Sequence, residues 1–184
     1  LLSNPNIDIN MITHVHSNNT EIKETALSVA IKTQNKQIVD LLLLNPNLDV
    51  NLLITETIYG IEYCETPLLL AIRTKDFEIV CSLLSHKNIN VNMRGTETTI
   101  KSKAKTEMSA LIYAIRFNYI DIVQLLLSYP GIDLNDECIS GDKNGSFRKS
   151  ALTIAIEKKY TNIIQLLLQY QDIDVNYKYY RSLN

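Results

Sequence analysis

Apolar and polar positions repeat the same rhythm four times along this chain. In the first occurrence Leu27, Ala30 and Ile31 stand at i, i+3 and i+4, one stripe of a helix. A polar break at Thr33-Gln34-Asn35 follows, then Ile38, Val39, Leu41, Leu42 and Leu43, a density that implies burial from more than one side. The block TALSVAIKTQNKQIVDLL from Thr25 returns as TPLLLAIRTKDFEIVCSLL from Thr66, SALIYAIRFNYIDIVQLL from Ser109 and SALTIAIEKKYTNIIQLL from Ser150. Each copy predicts two short helices, at 25–33 and 37–45, 66–74 and 78–86, 109–117 and 121–129, and 150–158 and 162–170. Thr25, Thr66, Ser109 and Ser150 can accept hydrogen bonds from free N–H groups of the first turn, and Pro67 sits where a missing N–H costs nothing. Ala30, Ala71, Ala114 and Ala155 keep one place in every copy, where a small side chain lets helices approach closely.

A second string recurs in step with the first: LLSNPNIDIN, LLLLNPNLDVN, SLLSHKNINVN, LLLSYPGIDLN and LLLQYQDIDVN. Successive caps are 41, 43 and 41 residues apart, a period of stacked supersecondary units that bury their apolar faces against each other. The expected organisation is a single array, with a partial repeat at 1–24 and repeats at 25–65, 66–108, 109–149 and 150–184. Because the sequence opens inside a unit, the array reads as a piece of a longer one, with Leu1 and Leu2 at the end of a helix.

Thr66-Pro67-Leu68-Leu69-Leu70-Ala71 resembles the T-P-L-H-x-A signature of the ankyrin repeat, and the I-V-x-L-L-L and D-V-N segments resemble that family's second helix and exit. The resemblance covers almost the whole chain in register. It implies an all-α fold class, an ankyrin-type helical solenoid with long β-hairpin fingers. The fingers would occupy 11–24, 52–65, 93–108 and 136–149, with an Asn-Gly turn signal in Asp142-Lys143-Asn144-Gly145 between strands around Cys138 and Phe147. Asn10, Asn51, Asn92, Asn135 and Asn176 would stand at the helix-to-finger exits, where an amide can tie down backbone groups of adjacent fingers. The chain departs from the family where the signature His becomes Ser28, Leu69, Ile112 and Thr153. The Gly between the helices becomes Gln34, Lys75, Asn118 and Lys159, residues that pay for a left-handed turn. The period also exceeds the family's.

Composition removes several function classes. The chain has 184 residues, 46% apolar and 21% charged, enough to bury a core. A net charge of −2 gives no basic field, so no nucleic-acid partner is expected. No apolar run approaches a membrane span. Three scattered cysteines, Cys64, Cys81 and Cys138, fit a reducing compartment, so the expected location is cytoplasmic or nuclear. The sequons Asn18-Asn19-Thr20 and Asn144-Gly145-Ser146 follow from the abundance of Asn. His14 and His16 lack a nearby third ligand, no glycine-rich phosphate loop occurs, and the cysteines lack a catalytic companion at a motif spacing. No enzyme activity, cofactor, metal or small-molecule substrate is expected.

What the resemblance implies instead is a protein or peptide partner held in the groove between first helices and fingers. By position, that groove holds Val29, Lys32 and Thr33; Leu70, Arg73 and Thr74; Tyr113, Arg116 and Phe117; Ile154, Glu157 and Lys158. Tyr113, Arg116 and Phe117 share a helical face, and Tyr and Arg are residue types enriched in binding hot spots; the alternative is that both rings pack on the fingers. Lys32, Arg73 and Arg116 form a basic row. Tyr59 and Tyr63, beside Glu56, Glu62 and Glu65, make a second candidate patch, and finger three (Arg94, Lys101, Lys103, Lys105 against Glu97 and Glu107) carries a positive excess that a solvated loop also explains. The expected function is an interaction scaffold. The alternatives are a substrate-recruiting segment of a larger enzyme, and an array that self-associates through exposed repeat ends.

Overall fold

The computed structural model describes residues 8–17, 20–142, 145–177 and 180–183. The expected helices at Leu1 and Leu2 and the turn residues Lys143 and Asn144 lie outside them. Eight helices occur among the described residues, in four pairs: α1 (Ala26–Lys32) and α2 (Lys36–Leu43), α3 (Pro67–Arg73) and α4 (Phe77–Leu84), α5 (Ala110–Arg116) and α6 (Ile120–Leu127), α7 (Ala151–Glu157) and α8 (Thr161–Leu167). The first helix of each pair starts where its hydroxyl cap directs. Thr25, Thr66, Ser109 and Ser150 accept from the amides of Ser28, Leu69, Ile112 and Thr153, and the Ser28 hydroxyl oxygen accepts in return from the Thr25 amide.

Gln34, Lys75, Asn118 and Lys159 take up the left-handed conformation at φ 52, 59, 60 and 59°, although none is glycine. The geometry survives because the following amide reaches back across the turn: the amides of Asn35, Asp76, Tyr119 and Tyr160 donate to the carbonyls of Ala30, Ala71, Ala114 and Ala155. Those bonds offset a left-handed cost of about 1–2 kcal/mol per non-glycine residue.

The connections between pairs are hairpins. β1 (Thr13–Ser17) pairs with β2 (Thr20–Glu24), β3 (Ile54–Ile58) with β4 (Ile61–Glu65), β5 (Gly95–Thr99) with β6 (Lys105–Met108), and β7 (Glu137–Asp142) with β8 (Gly145–Ser150), all antiparallel. The all-α expectation is therefore corrected to a mixed helix-hairpin fold. Segments such as THVHS, ITETI and IEYCE are rich in Thr, Ile, Val and Tyr, residues that suit a pleated strand. Hairpins also pair with one another, β2 with β3 and β6 with β7, so strand forms a layer of its own. β9 (Tyr180–Leu183) adds a further antiparallel strand to β8.

The chain divides into two compact units, Leu1–Asn90 and Val91–Asn184. In the first, α1 packs on α3 and α2 on α4, around Leu27, Ile31, Val39, Leu68, Ile72, Ile79 and Leu83, beneath a sheet ordered β1-β2-β3-β4. In the second, α5 packs on α7 and α6 on α8, around Leu111, Ile115, Val123, Leu126 and Ile163, with strands ordered β5-β6-β7-β8-β9. Burial of the second helices is uneven: α4 and α6 bury four residues each, whereas Ile38 and Leu41 of α2 are exposed.

Asparagine amides tie each repeat to the next. Asn10 donates through Nδ2 to the Asn47 carbonyl (2.7 Å) and accepts through Oδ1 from the Asp49 amide (2.7 Å). Asn51 does the same with Asn88 and Asn90, Asn92 with Gly131 and Asp133, and Asn135 with Asp172 and Asp174, all at 2.7–2.9 Å. The groups they reach belong to the loop after the next second helix, not to a hairpin. Asp8, Asp49, Asp133 and Asp174 in turn accept the backbone amide of the asparagine two residues on, a local Asx turn that presents its side chain.

Candidate protein-interaction surface

The last turn of each first helix meets the neighbouring hairpin strands, so side chains from two elements converge there. In the first unit Lys32 lies 2.9 Å from Glu24 and 2.7 Å from Glu56. Arg73 bonds Glu65 through Nε and Nη2 at 2.9 and 2.6 Å, reaches Glu56 at 2.9 Å, and carries its guanidinium over the Tyr63 ring at 4.9 Å. Burial by itself would lower the Arg73 pKa, but the bonds and charges of Glu65 and then Glu56 outweigh it and raise it. Burial likewise raises the Glu65 carboxyl, against the pull of Arg73. Both cations are bracketed by two carboxylates, and their side chains are 19% exposed. The basic row read from the sequence is thus neutralised at Lys32 and Arg73 by acids whose placement depends on hairpin register.

In the second unit the pattern breaks. Met108 occupies the position that Glu24 and Glu65 hold in the earlier repeats, one residue before the helix cap. Arg116 therefore meets one carboxylate among the described residues, Glu97 at 3.0 Å, with the Met108 sulfur 3.7 Å away. Its side chain is 35% exposed. In the last pair the charges are exchanged: Lys149 bonds Glu157 at 2.6 Å. This covariation between the residue before the cap and the last helical residue is the signal in the sequence that announces the ion pairs.

Phe117 follows Arg116 at the C-terminal end of α5 and is 41% exposed. Its ring stands 4.7 Å from that of Tyr113 and 6.0 Å from that of Tyr119, with the Arg116 guanidinium 5.5 Å from its centroid. At the same place Thr33 and Thr74 turn their hydroxyls back onto the helix carbonyls of Val29 and Ala71 at 2.9 Å. Lys158 there is exposed. Tyr113 is 6% exposed, as Leu70 and Ile154 are buried, so its ring underlies Phe117 instead of presenting a face.

The second candidate patch is split. Tyr59 (φ 48°) and Gly60 (φ 79°) form the two-residue turn between β3 and β4, both left-handed as a type I′ turn requires, and Tyr59 is fully exposed at the tip. Tyr63 lies lower on β4, half-buried under Arg73. In finger three Arg94 pairs with Asp136 and with Glu107 (3.0 Å), while Lys101, Lys103 and Lys105 are exposed near the tip. Asn176 has an Asx turn like its counterparts and, among the described residues, no following loop to clamp. Cys81 and Cys138 have thiol pKa values raised by burial. Among the described residues no helix is long and apolar enough to cross a membrane, and no three potential ligands gather as a metal site.

A family model described as ankyrin repeats in three copies matches residues 2–95, 53–138 and 93–179. None of the curated proteins matches the chain. Among solved structures the chain is similar to the ankyrin repeat domain of Bcl-3, a member of the IkappaB protein family, at 23% identity and a TM-score of 0.59. The match covers 84% of this chain and 58% of that one, so this chain spans less than two thirds of that domain.

Proposed function

Since the chain belongs to the ankyrin repeat family, whose repeats are generally protein–protein interaction modules, we propose that it is a non-enzymatic scaffold that binds a partner protein at the end of α5. The observation that carries this reading is the pair Arg116 and Phe117: Arg116 meets one carboxylate where Lys32 and Arg73 each meet two and is more exposed than they are, and Phe117 sets an exposed ring where Thr33 and Thr74 turn back on the backbone. A large ring resting on Tyr113 and Tyr119 is held at low conformational cost, as hot-spot aromatics are. Lys158 lies exposed at the equivalent place after α7, whereas Lys32 and Arg73 are held by carboxylates and Thr74 by a carbonyl of its own helix. Tyr59 supplies a separate contact at a hairpin tip. Three cysteines scattered over different repeats suit a reducing compartment, the cytoplasm or nucleus.

The test is retention of proteins from lysate of the source cell on the immobilised chain and on the double variant Arg116→Ala/Phe117→Ala, both checked for equal melting. Proteins held by the first and lost by the second support the reading. An unchanged set overturns it and moves the site to Tyr59. With a partner in hand, each single alanine variant should weaken binding by about 1–3 kcal/mol by titration calorimetry.

A further inference from the structure

We infer that the Arg116–Phe117 surface takes an acidic segment of its partner, in which an Asp or Glu lies within a few residues of a large apolar or aromatic side chain. The inference rests on the interaction surface proposed above and names the chemistry it selects. It follows from comparing repeats within one molecule. The cation ending α1 and the cation ending α3 each touch two carboxylates, one of them from the residue just before the helix cap, Glu24 or Glu65. Arg116 occupies the same place at the end of α5, but the residue before its cap is Met108, whose thioether accepts weakly at 3.7 Å. One carboxylate, Glu97, remains, and the Arg116 side chain is nearly twice as exposed as that of Arg73.

A guanidinium offers five donors in a planar fork, and a second carboxylate completes it with charge-assisted bonds. In two repeats the chain provides that group itself; in the α5 repeat a buried thioether stands in its place, and the solvent-facing side of the fork is left to a carboxylate from outside. Phe117 stands directly beside the opening, where Thr33 and Thr74 present no ring, so the same segment that brings the carboxylate meets an apolar platform. The charge complement and the platform together favour an acidic-apolar peptide over a basic one or nucleic acid.

A phage-displayed random 12-residue peptide library, selected on the whole chain, tests this. Recovered peptides should carry Asp or Glu near an aromatic or large aliphatic residue. As fluorescent synthetic peptides they should bind about tenfold or more weakly to Arg116→Gln and to Phe117→Thr. Met108→Glu, which would place a carboxylate where Glu65 stands beside Arg73, should weaken them similarly by occupying the guanidinium from within. If that variant does not fold, Arg116→Gln decides. Acid-free or basic peptides that still lose binding with Phe117→Thr would overturn the acidic partner and leave the interaction surface standing. Peptides indifferent to all three substitutions, or none recovered, would overturn both.

Discussion

Each clamping asparagine commits both ends of its amide to the backbone of a loop one repeat later, so truncating it removes a donor and an acceptor together. Asn92→Ala should cost about 1–2 kcal/mol by denaturant titration, at one net hydrogen bond or more lost in a solvent-accessible place, whereas Asn176→Ala should stay within about 0.5 kcal/mol. Equal losses at both would show that the side chains act through the Asx turn alone. The left-handed positions make a second residue-level expectation. Lys159 pays for φ 59° with no ion pair described, so Lys159→Gly should gain about 0.5–1 kcal/mol, the relieved strain less the entropy of a glycine. A loss of stability would place that side chain in a contact that matters.

Helices were legible in the sequence because their apolar stripe repeats at 3.6 and their caps are hydroxyls; the hairpins were less so. Strands such as β3 and β4 bury one residue each, and their polar faces give no alternation to count, so they were foreseen as ornaments on helices when they form a layer. The ion pairs were missed for a related reason. Glu56 reaches both Lys32 and Arg73 because β3 runs beside β2 and β4, and that register is invisible to a reading along one strand. Arg73→Ala should therefore be costly, about 3–5 kcal/mol, since it strands the buried Glu65 carboxylate, while the pair change Arg73→Met with Glu65→Gln should recover much of the loss. A small effect of the single change in thermal melts would mean that water reaches Glu65 freely.

Across the whole molecule the acids and bases nearly cancel, and several of the described cations lie against a carboxylate, which is why net charge said little about a partner while the incomplete pairing at Arg116 says more. The candidate site was half legible: sequence position found Arg116 and Phe117 but could not tell that Tyr113 is their support. Chemical reactivity reports on the packed state. Burial raises the Cys138 thiol above its usual range, so at pH 8 it should be alkylated far more slowly than a free thiol, and denaturant should abolish the difference. Equal rates in folded and unfolded chain, by mass spectrometry, would show the second unit opening freely around it.

The asparagine clamps bear finally on how such a chain can change over generations. The repeat at 66–108 is two residues longer than its neighbours, yet Asn92 holds Gly131 and Asp133 as Asn51 holds Asn88 and Asn90. The added residues sit in the hairpin, between points the clamp already fixes. They lie in the turn, which runs from Ile100 to Ala104 between β5 and β6 where Tyr59 and Gly60 alone join β3 to β4, and the strands pair below it. Hairpin length is thus open to variation at the tip, and new binding tips can be tried by insertion and deletion while the stacked helices stay under unaltered selection.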